Sequence, residues 1–337
     1  MSKIYNYPHP FTTEGGYTFH SLTIAYDTYG TLNEDKSNVI WVCHALTANS
    51  DVADWWPHTV EEGCFLDPSK YFTVCANFLG SHYGTTGPLS VNPQTGEAWY
   101  GDFPQITVRD MVRVHQLLAE HLSIKRVKVL IGSSIGGFQS IEWAVMQPDF
   151  AEKAIFIATA PRVMAWVAAF NESQRMAIEL DPTFGQRTES AGLDGMAVAR
   201  SIALLSYRGG VAYNVAQEDA EPDNAFFTRR VHSYQRYQGD KLRRRFNAYS
   251  YYRLSQAVDS HNIGRGRGRV EDVLKSIKAK TLVVAITSDI LFSPAEHQIL
   301  VNNIPDVEYH TLDSIFGHDG FLVEHQALNK IILNFIK

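Results

Sequence analysis

Short apolar or β-branched runs recur along the chain. Each is followed by small residues and then by a stretch with helical spacing. The runs that predict strands are Leu22–Tyr29, 39–44, Phe72–Ala76, 127–131, 154–157, 282–286 and Val307–Leu312. Several are almost continuously apolar, as strands covered on both faces should be. Helix-like stretches at 111–121 and 138–146 lie between them. This alternation predicts an α/β architecture, a mostly parallel sheet with helices on both faces. It breaks between about Pro161 and Arg269, where 166–179, 195–207 and 242–260 read as helical, interrupted by Asp181-Pro182 and by Gly209-Gly210. We therefore expect residues 1–160 and 270–337 to form the core domain and 161–269 a helical lid insertion. The lid would lie over the strand carboxyl ends, where such sheets bind ligands. A separate helical domain with no part in the chemistry is the plainer alternative. No internal repeat, low-complexity tract or heptad pattern competes with this organisation.

Composition narrows the picture. A chain of 337 residues, 45% hydrophobic and 20% charged, suits one large elaborated domain or two domains with a sizeable core. The formal charge of −6 argues against a nucleic-acid partner, although it leaves room for a local basic pocket. Cys43, Cys64 and Cys75 are an odd set without CxxC spacing. They fit a reducing compartment and carry no metal signature. The opening MSKIYNYPHPFTTEGGYTF lacks the charged and apolar regions of a signal peptide, and no apolar run reaches membrane-spanning length. The expectation is a cytoplasmic protein without a membrane partner.

The candidate chemistry begins at Gly132-Ser133-Ser134-Ile135-Gly136, a G-x-S-x-G match between a strand and a helix. That setting presents a serine on a tight turn, with glycines where the backbone is crowded. Only Ser134 has glycine at both −2 and +2. A bare glycine-rich turn is the plain alternative. Serine needs a base to take its proton and a third group to orient the base. In the hydrolase fold these follow in the order Ser, Asp or Glu, His, each after its own strand. Asp289 follows the run TLVVAI, and His318 follows VEYHTL, in that order. Asp289 as a helix cap near Pro294, and Asp313 or Asp319 as the acid, are the competing readings. The backbone N–H groups of Leu46, in the loop after 39–44, and of Ile135 are expected to hold the oxyanion. His44, in the same loop, is read as structural.

Longer blocks add a resemblance. CHALT at 43–47, GTTGPLSVNPQTG and FPQITVRDM within 77–110, and GSSIGGFQ at 132–139 are similar to the homoserine O-acetyltransferase family of the MetX type, within the α/β-hydrolase superfamily. So are NESQRMAIELDPTF at 171–184, ARSIALLSYR at 199–208, the segment 237–261, SDILF at 288–292 and GHDGFL at 317–322. The resemblance implies the α/β-hydrolase fold and an acetyl group moved from acetyl-CoA, as co-substrate, to the hydroxyl of L-homoserine, a step of methionine biosynthesis. It implies no bound cofactor, and a homodimer. Ser134, Asp289 and His318 fall on the family's triad. Arg200 and Tyr207 fall on its carboxylate-binding pair, and Asp319 on its acid for the substrate ammonium. A free amino acid needs such a fork and such an anion. Two positions depart: isoleucine at 135, where methionine is usual, and glycine at 320, where alanine is common. Relatives on this scaffold also use succinyl-CoA or acylate serine, so homoserine O-succinyltransferase, serine O-acetyltransferase and a plain esterase stay open. So does a receptor without chemistry, against which an intact triad argues. The basic runs 241–245 and 265–269 are candidates for the phosphates of coenzyme A, with a solvated face as the plainer account.

Overall fold

In the computed structural model, which describes residues 2–221 and 227–337, the chain opens with strand β1 (Lys3–Tyr7) and the small hairpin of β2 (Phe11–Thr12) and β3 (Thr18–Phe19). It continues through β4 (Leu22–Tyr29), β5 (Val39–Cys43), α1 (Val52–Trp55), β6 (Phe72–Ala76), α2 (Val108–His121), β7 (Val127–Ser133), α3 (Ile135–Met146) and β8 (Ala151–Ile157). Helices α4 (Ala165–Glu179), α5 (Leu193–Tyr207), α6 (Gly210–Ala216), α7 (Arg230–Arg243) and α8 (Ala248–Asp259) follow without a strand among the described residues. The alternation then resumes with α9 (Val270–Leu274), β9 (Lys280–Ile286), α10 (Pro294–Asn303), β10 (Val307–Leu312), α11 (Gly320–Val323) and α12 (His325–Ile336).

Eight strands form one sheet in the order β1-β4-β6-β5-β7-β8-β9-β10. The six from β6 to β10 are parallel, and β4 and β1 add antiparallel at one edge. The central strand β5 is apolar and buried at every position because both of its faces are covered. In β5, Val39, Trp41 and Cys43 enter one core while Ile40 and Val42 enter the other. Successive side chains of a strand point to opposite faces, so burial on both removes the polar alternation. After β5 the chain moves to β6 on one side and returns to β7 on the other. The carboxyl ends of β5 and β7 thus flank a topological switch point, where open α/β sheets bind ligands.

The helical insertion leaves after β8 and returns before α9 through a narrow neck. Val163 N–H donates to the His261 carbonyl at 3.0 Å, and Ile263 N–H to that of Pro161 at 3.1 Å. Residues 222–226 of the expected insertion lie outside the described residues.

One expectation is corrected, and two elements carried too little signal to be predicted. The stretch 242–260 is not one helix: α7 ends at Arg243, and Asn247 caps a new start by accepting the Ser250 N–H at 2.8 Å. Helix α7 escaped notice because few of its residues are buried, so it carries little apolar periodicity. Strand β1 also escaped, since an edge strand with mostly exposed or half-exposed positions has little apolar signal.

Candidate active site

Ser134 sits between the last residue of β7 and the first of α3, at φ 56° and ψ −125°. That left-handed conformation is costly for a residue with a Cβ, by about 1–3 kcal/mol, and persists only where its surroundings enforce it. Here Ser134 N–H donates to the Ile157 carbonyl at 3.0 Å, and Thr159 Oγ1 donates to the Ser134 carbonyl at 2.9 Å. Gly136 makes the turn sterically feasible: a Cβ there would lie 2.0 Å from the Cys43 carbonyl oxygen. Its absence lets the start of α3 rest directly on the end of β5. Ser133 is fully buried as the last residue of β7, whereas Ser134 opens on a cavity of about 380 Å³.

His318 reaches the same cavity from the turn after β10. Its Nδ1 donates to Asp289 Oδ2 at 2.7 Å, with both side chains buried. Asp289 follows β9 and accepts two further hydrogen bonds on Oδ1, from the N–H groups of Leu291 at 2.8 Å and Phe292 at 3.1 Å. The helix after it is capped by Ser293 and Glu296 instead, so Asp289 is not a helix cap. Asp313 is exposed and accepts from Thr287 Oγ1. Burial disfavours a charged imidazole at His318, but the charge and hydrogen bond of Asp289, with the charge of Asp319, outweigh it. Its pKa is raised above the ordinary value. Ser134 and His318 share the cavity wall without a mutual hydrogen bond among the described residues. Such bonds are often long before substrate binds.

Leu46 lines the cavity in the loop that leaves β5. The Ala45 carbonyl accepts from His44 Nδ1 at 2.8 Å and from Ala48 N–H at 3.0 Å. That carbonyl and the Leu46 N–H belong to one rigid peptide plane and point oppositely, so holding the first aims the second. Ile135 N–H, at the first position of α3, has no intrahelical acceptor. His44 is fully buried and stacked on Phe78, with its pKa lowered to about 4 by burial against the opposing Ala45 hydrogen bond. It is therefore neutral and can give Nδ1–H to the carbonyl.

The cavity's far wall comes from the insertion. Arg200 and Tyr207 lie on one face of α5, with the guanidinium 5.5 Å from the phenol ring centre, and both line the cavity. Burial raises the pKa of Tyr207 against the charge of Arg200, which keeps it a neutral donor. Asp319 also lines the cavity, and its Oδ2 accepts from Arg208 Nε at 3.2 Å. Two glycines allow this contact. A Cβ on Gly209 would meet the Ile315 carbonyl oxygen at 2.1 Å, and one on Gly317, at φ +64°, would meet Gly209 N at 2.6 Å. Backbone thus packs on backbone where the end of α5 meets the His318 turn.

Sequence reasoning did not single out Arg208. Its position beside Tyr207, at the end of ARSIALLSYR, was the available signal. The two basic runs part company. Lys241 and Arg245 line the cavity. In the second run, Arg265 pairs with Glu14 and Arg267 with the buried Glu142, while Arg269 makes an exposed pair with Glu271.

No helix among the described residues is long and apolar enough to cross a membrane. The α/β hydrolase fold family matches residues 38–324. The homoserine O-acetyltransferase of Cyclobacterium marinum is 44% identical over 322 residues, covering 96% of this chain and 91% of that protein. That of Chloroherpeton thalassium is 43% identical, covering 98% and 88%. Among solved structures, homoserine O-acetyltransferase from Bacillus anthracis superposes with a TM-score of 0.91 at 25% identity, covering 100% of this chain and 98% of that one. Esterase E22 superposes at 0.88 with 28% identity and full coverage of both chains. A serine on a strained strand-to-helix turn, a buried His–Asp pair after the last two strands and relatives matched over most of their length agree: this enzyme belongs to the homoserine O-acetyltransferases of the α/β-hydrolase family.

Proposed function

We propose that the enzyme transfers an acetyl group from acetyl-CoA to the hydroxyl of L-homoserine through an acyl-Ser134 intermediate. The observation that carries this reading is the meeting of Ser134, His318 and Arg200 in one cavity, supplied by the sheet and the insertion together. His318 Nε2 takes the Ser134 hydroxyl proton, and Oγ attacks the thioester carbonyl. The Leu46 and Ile135 N–H groups stabilise the oxyanion, which is usually the largest single catalytic contribution at such sites. Collapse breaks the C–S bond, and His318 returns the proton to the leaving thiolate. Homoserine then enters with its carboxylate toward Arg200 and Tyr207 and its ammonium toward Asp319. His318 takes its hydroxyl proton, the oxygen attacks the acyl-serine, and collapse releases O-acetylhomoserine as Oγ recovers the proton.

Asp319 does this while paired with Arg208 through Oδ2; its Oδ1 has no partner among the described residues. Clamping the charged end of the acceptor presents its hydroxyl to the acyl carbon, which is where transfer gains over hydrolysis.

The test is an assay of acetyl-CoA and succinyl-CoA against homoserine, serine and water, with mass analysis of enzyme incubated without acceptor. One acetyl mass on the peptide holding Ser134, lost in Ser134→Ala, and preferential transfer to homoserine are expected. Acylation of Ser133 sinks the assignment of the nucleophile. Water accepting as readily as homoserine makes the enzyme an esterase.

A further inference from the structure

The insertion reaches past the cavity to the loop that follows β5. Arg245, in the turn between α7 and α8, donates from Nη1 to the Thr47 carbonyl at 2.5 Å and to the Tyr83 hydroxyl at 2.7 Å. Its Nη2 donates to Thr47 Oγ1 at 3.2 Å. One planar guanidinium thus grips both the backbone and the side chain of the residue next to Leu46, a grip that a single ammonium cannot reproduce. The adjoining residues dock the same segment. Phe246 packs edge-on against Tyr83, and Asn247 and His82 share a hydrogen bond at 2.9 Å. The loop itself is sparsely braced. Within 44–49, Ala48 N–H to the Ala45 carbonyl is the one backbone–backbone hydrogen bond among the described residues. His44 fixes the peptide before Leu46, and Arg245 fixes the peptide after Thr47.

Resting on the acyl-serine reading above, we propose that Arg245 is a positioning residue. It holds Thr47 so that the Leu46 N–H stays in place for the oxyanion, and acylation of Ser134 thereby depends on the docked insertion. Arg245 also lines the cavity and makes no carboxylate ion pair among the described residues, so the competing role is a ligand for coenzyme A phosphates.

A donor without phosphates separates the two. The rate of Ser134 acylation is measured by rapid mixing with acetyl-CoA, following the thiol, and with p-nitrophenyl acetate, following the phenolate. Arg245→Gln is expected to slow acylation at saturating donor by about 10- to 100-fold with both, since a displaced oxyanion donor forfeits much of its effect. The half-saturating concentrations should barely move. Thr47→Val and Tyr83→Phe keep the arginine's charge and should slow both donors by smaller factors. These two variants decide the matter if Arg245→Gln fails to fold. A rise in the acetyl-CoA half-saturation, with p-nitrophenyl acetate untouched, makes Arg245 a phosphate ligand and overturns the proposal. Unchanged rates with both donors overturn it as well. Wild type and Ser134→Ala run alongside. A burst absent from the first, or kept by the second, refutes the acyl-serine reading and carries this proposal down with it.

Discussion

At His318, three influences compete over one proton. Burial favours the neutral ring, while the charge and hydrogen bond of Asp289 and the charge of Asp319 favour the imidazolium and prevail. Acylation as proposed needs the neutral ring as base. Its rate should therefore fall as the pH drops through a midpoint above about 6.5, the ordinary histidine value. Asp319→Asn removes one of the two acids that raise the pKa, so the midpoint should move to lower pH. A pH profile of the acylation burst checks this, and a midpoint that stays put or moves up contradicts it. Homoserine use should weaken in the same variant, which makes Asp319 active in both half-reactions.

Among the elements, the junction of β5 with α3 leaves no space for a side chain. Gly136 touches the Cys43 carbonyl with no room for a methyl group, and that contact brings the Ile135 N–H beside the loop of Leu46. Gly136→Ala should push α3 from the strand and cost about 1–3 kcal/mol of stability, the usual range for overpacking. Urea denaturation measures that loss. The acylation rate should fall further than stability alone accounts for, because the Leu46 and Ile135 N–H groups proposed to hold the oxyanion would part. A variant that folds and acylates normally shows that the helix can shift without disturbing the donors. The Gly209–Gly317 contact acts similarly on the other side, where α5 meets the turn of His318.

Over the whole molecule, the cavity is lined both by loops of the sheet and by the helices that follow β8. Buried Glu142 on α3 accepts Arg109 Nε at 2.9 Å and Arg267 Nη2 at 2.6 Å. Arg109 also donates to the Arg265 carbonyl at 2.6 Å, binding the return of the insertion to α2. Glu142→Gln keeps the shape but loses the charge that both arginines share. We expect a loss of about 2 kcal/mol in thermal or urea unfolding, within the range for hydrogen bonds to charged groups. An unchanged midpoint shows that the insertion is held elsewhere. Arg200 belongs to this scale too, since α5 carries it to a serine on the sheet. Arg200→Ala should weaken homoserine use by about 2–5 kcal/mol, as for one lost partner of a buried charged pair, and leave the coenzyme A burst nearly intact. If the burst vanishes while homoserine use is unaffected, Arg200 serves the acyl donor or the fold.

The central strands, their order with the helices and the places of Ser134, Asp289 and His318 were legible in the sequence. Each depends on local signals: apolar runs, glycines at a tight turn, and the succession of strand ends. A break in that alternation likewise marked the stretch after β8, where α4 to α8 follow without a strand among the described residues. Tertiary structure decided what depends on partners remote along the chain. It separated buried Asp289, held by two N–H groups and an imidazole, from exposed Asp313. It paired Asp319 with Arg208, directed Arg265 and Arg267 onto Glu14 and Glu142, and brought Arg245 onto Thr47. Charge runs look alike in a sequence whether they face water, a carboxylate or a carbonyl. Only the packing of the insertion on the sheet determines which of these each arginine meets.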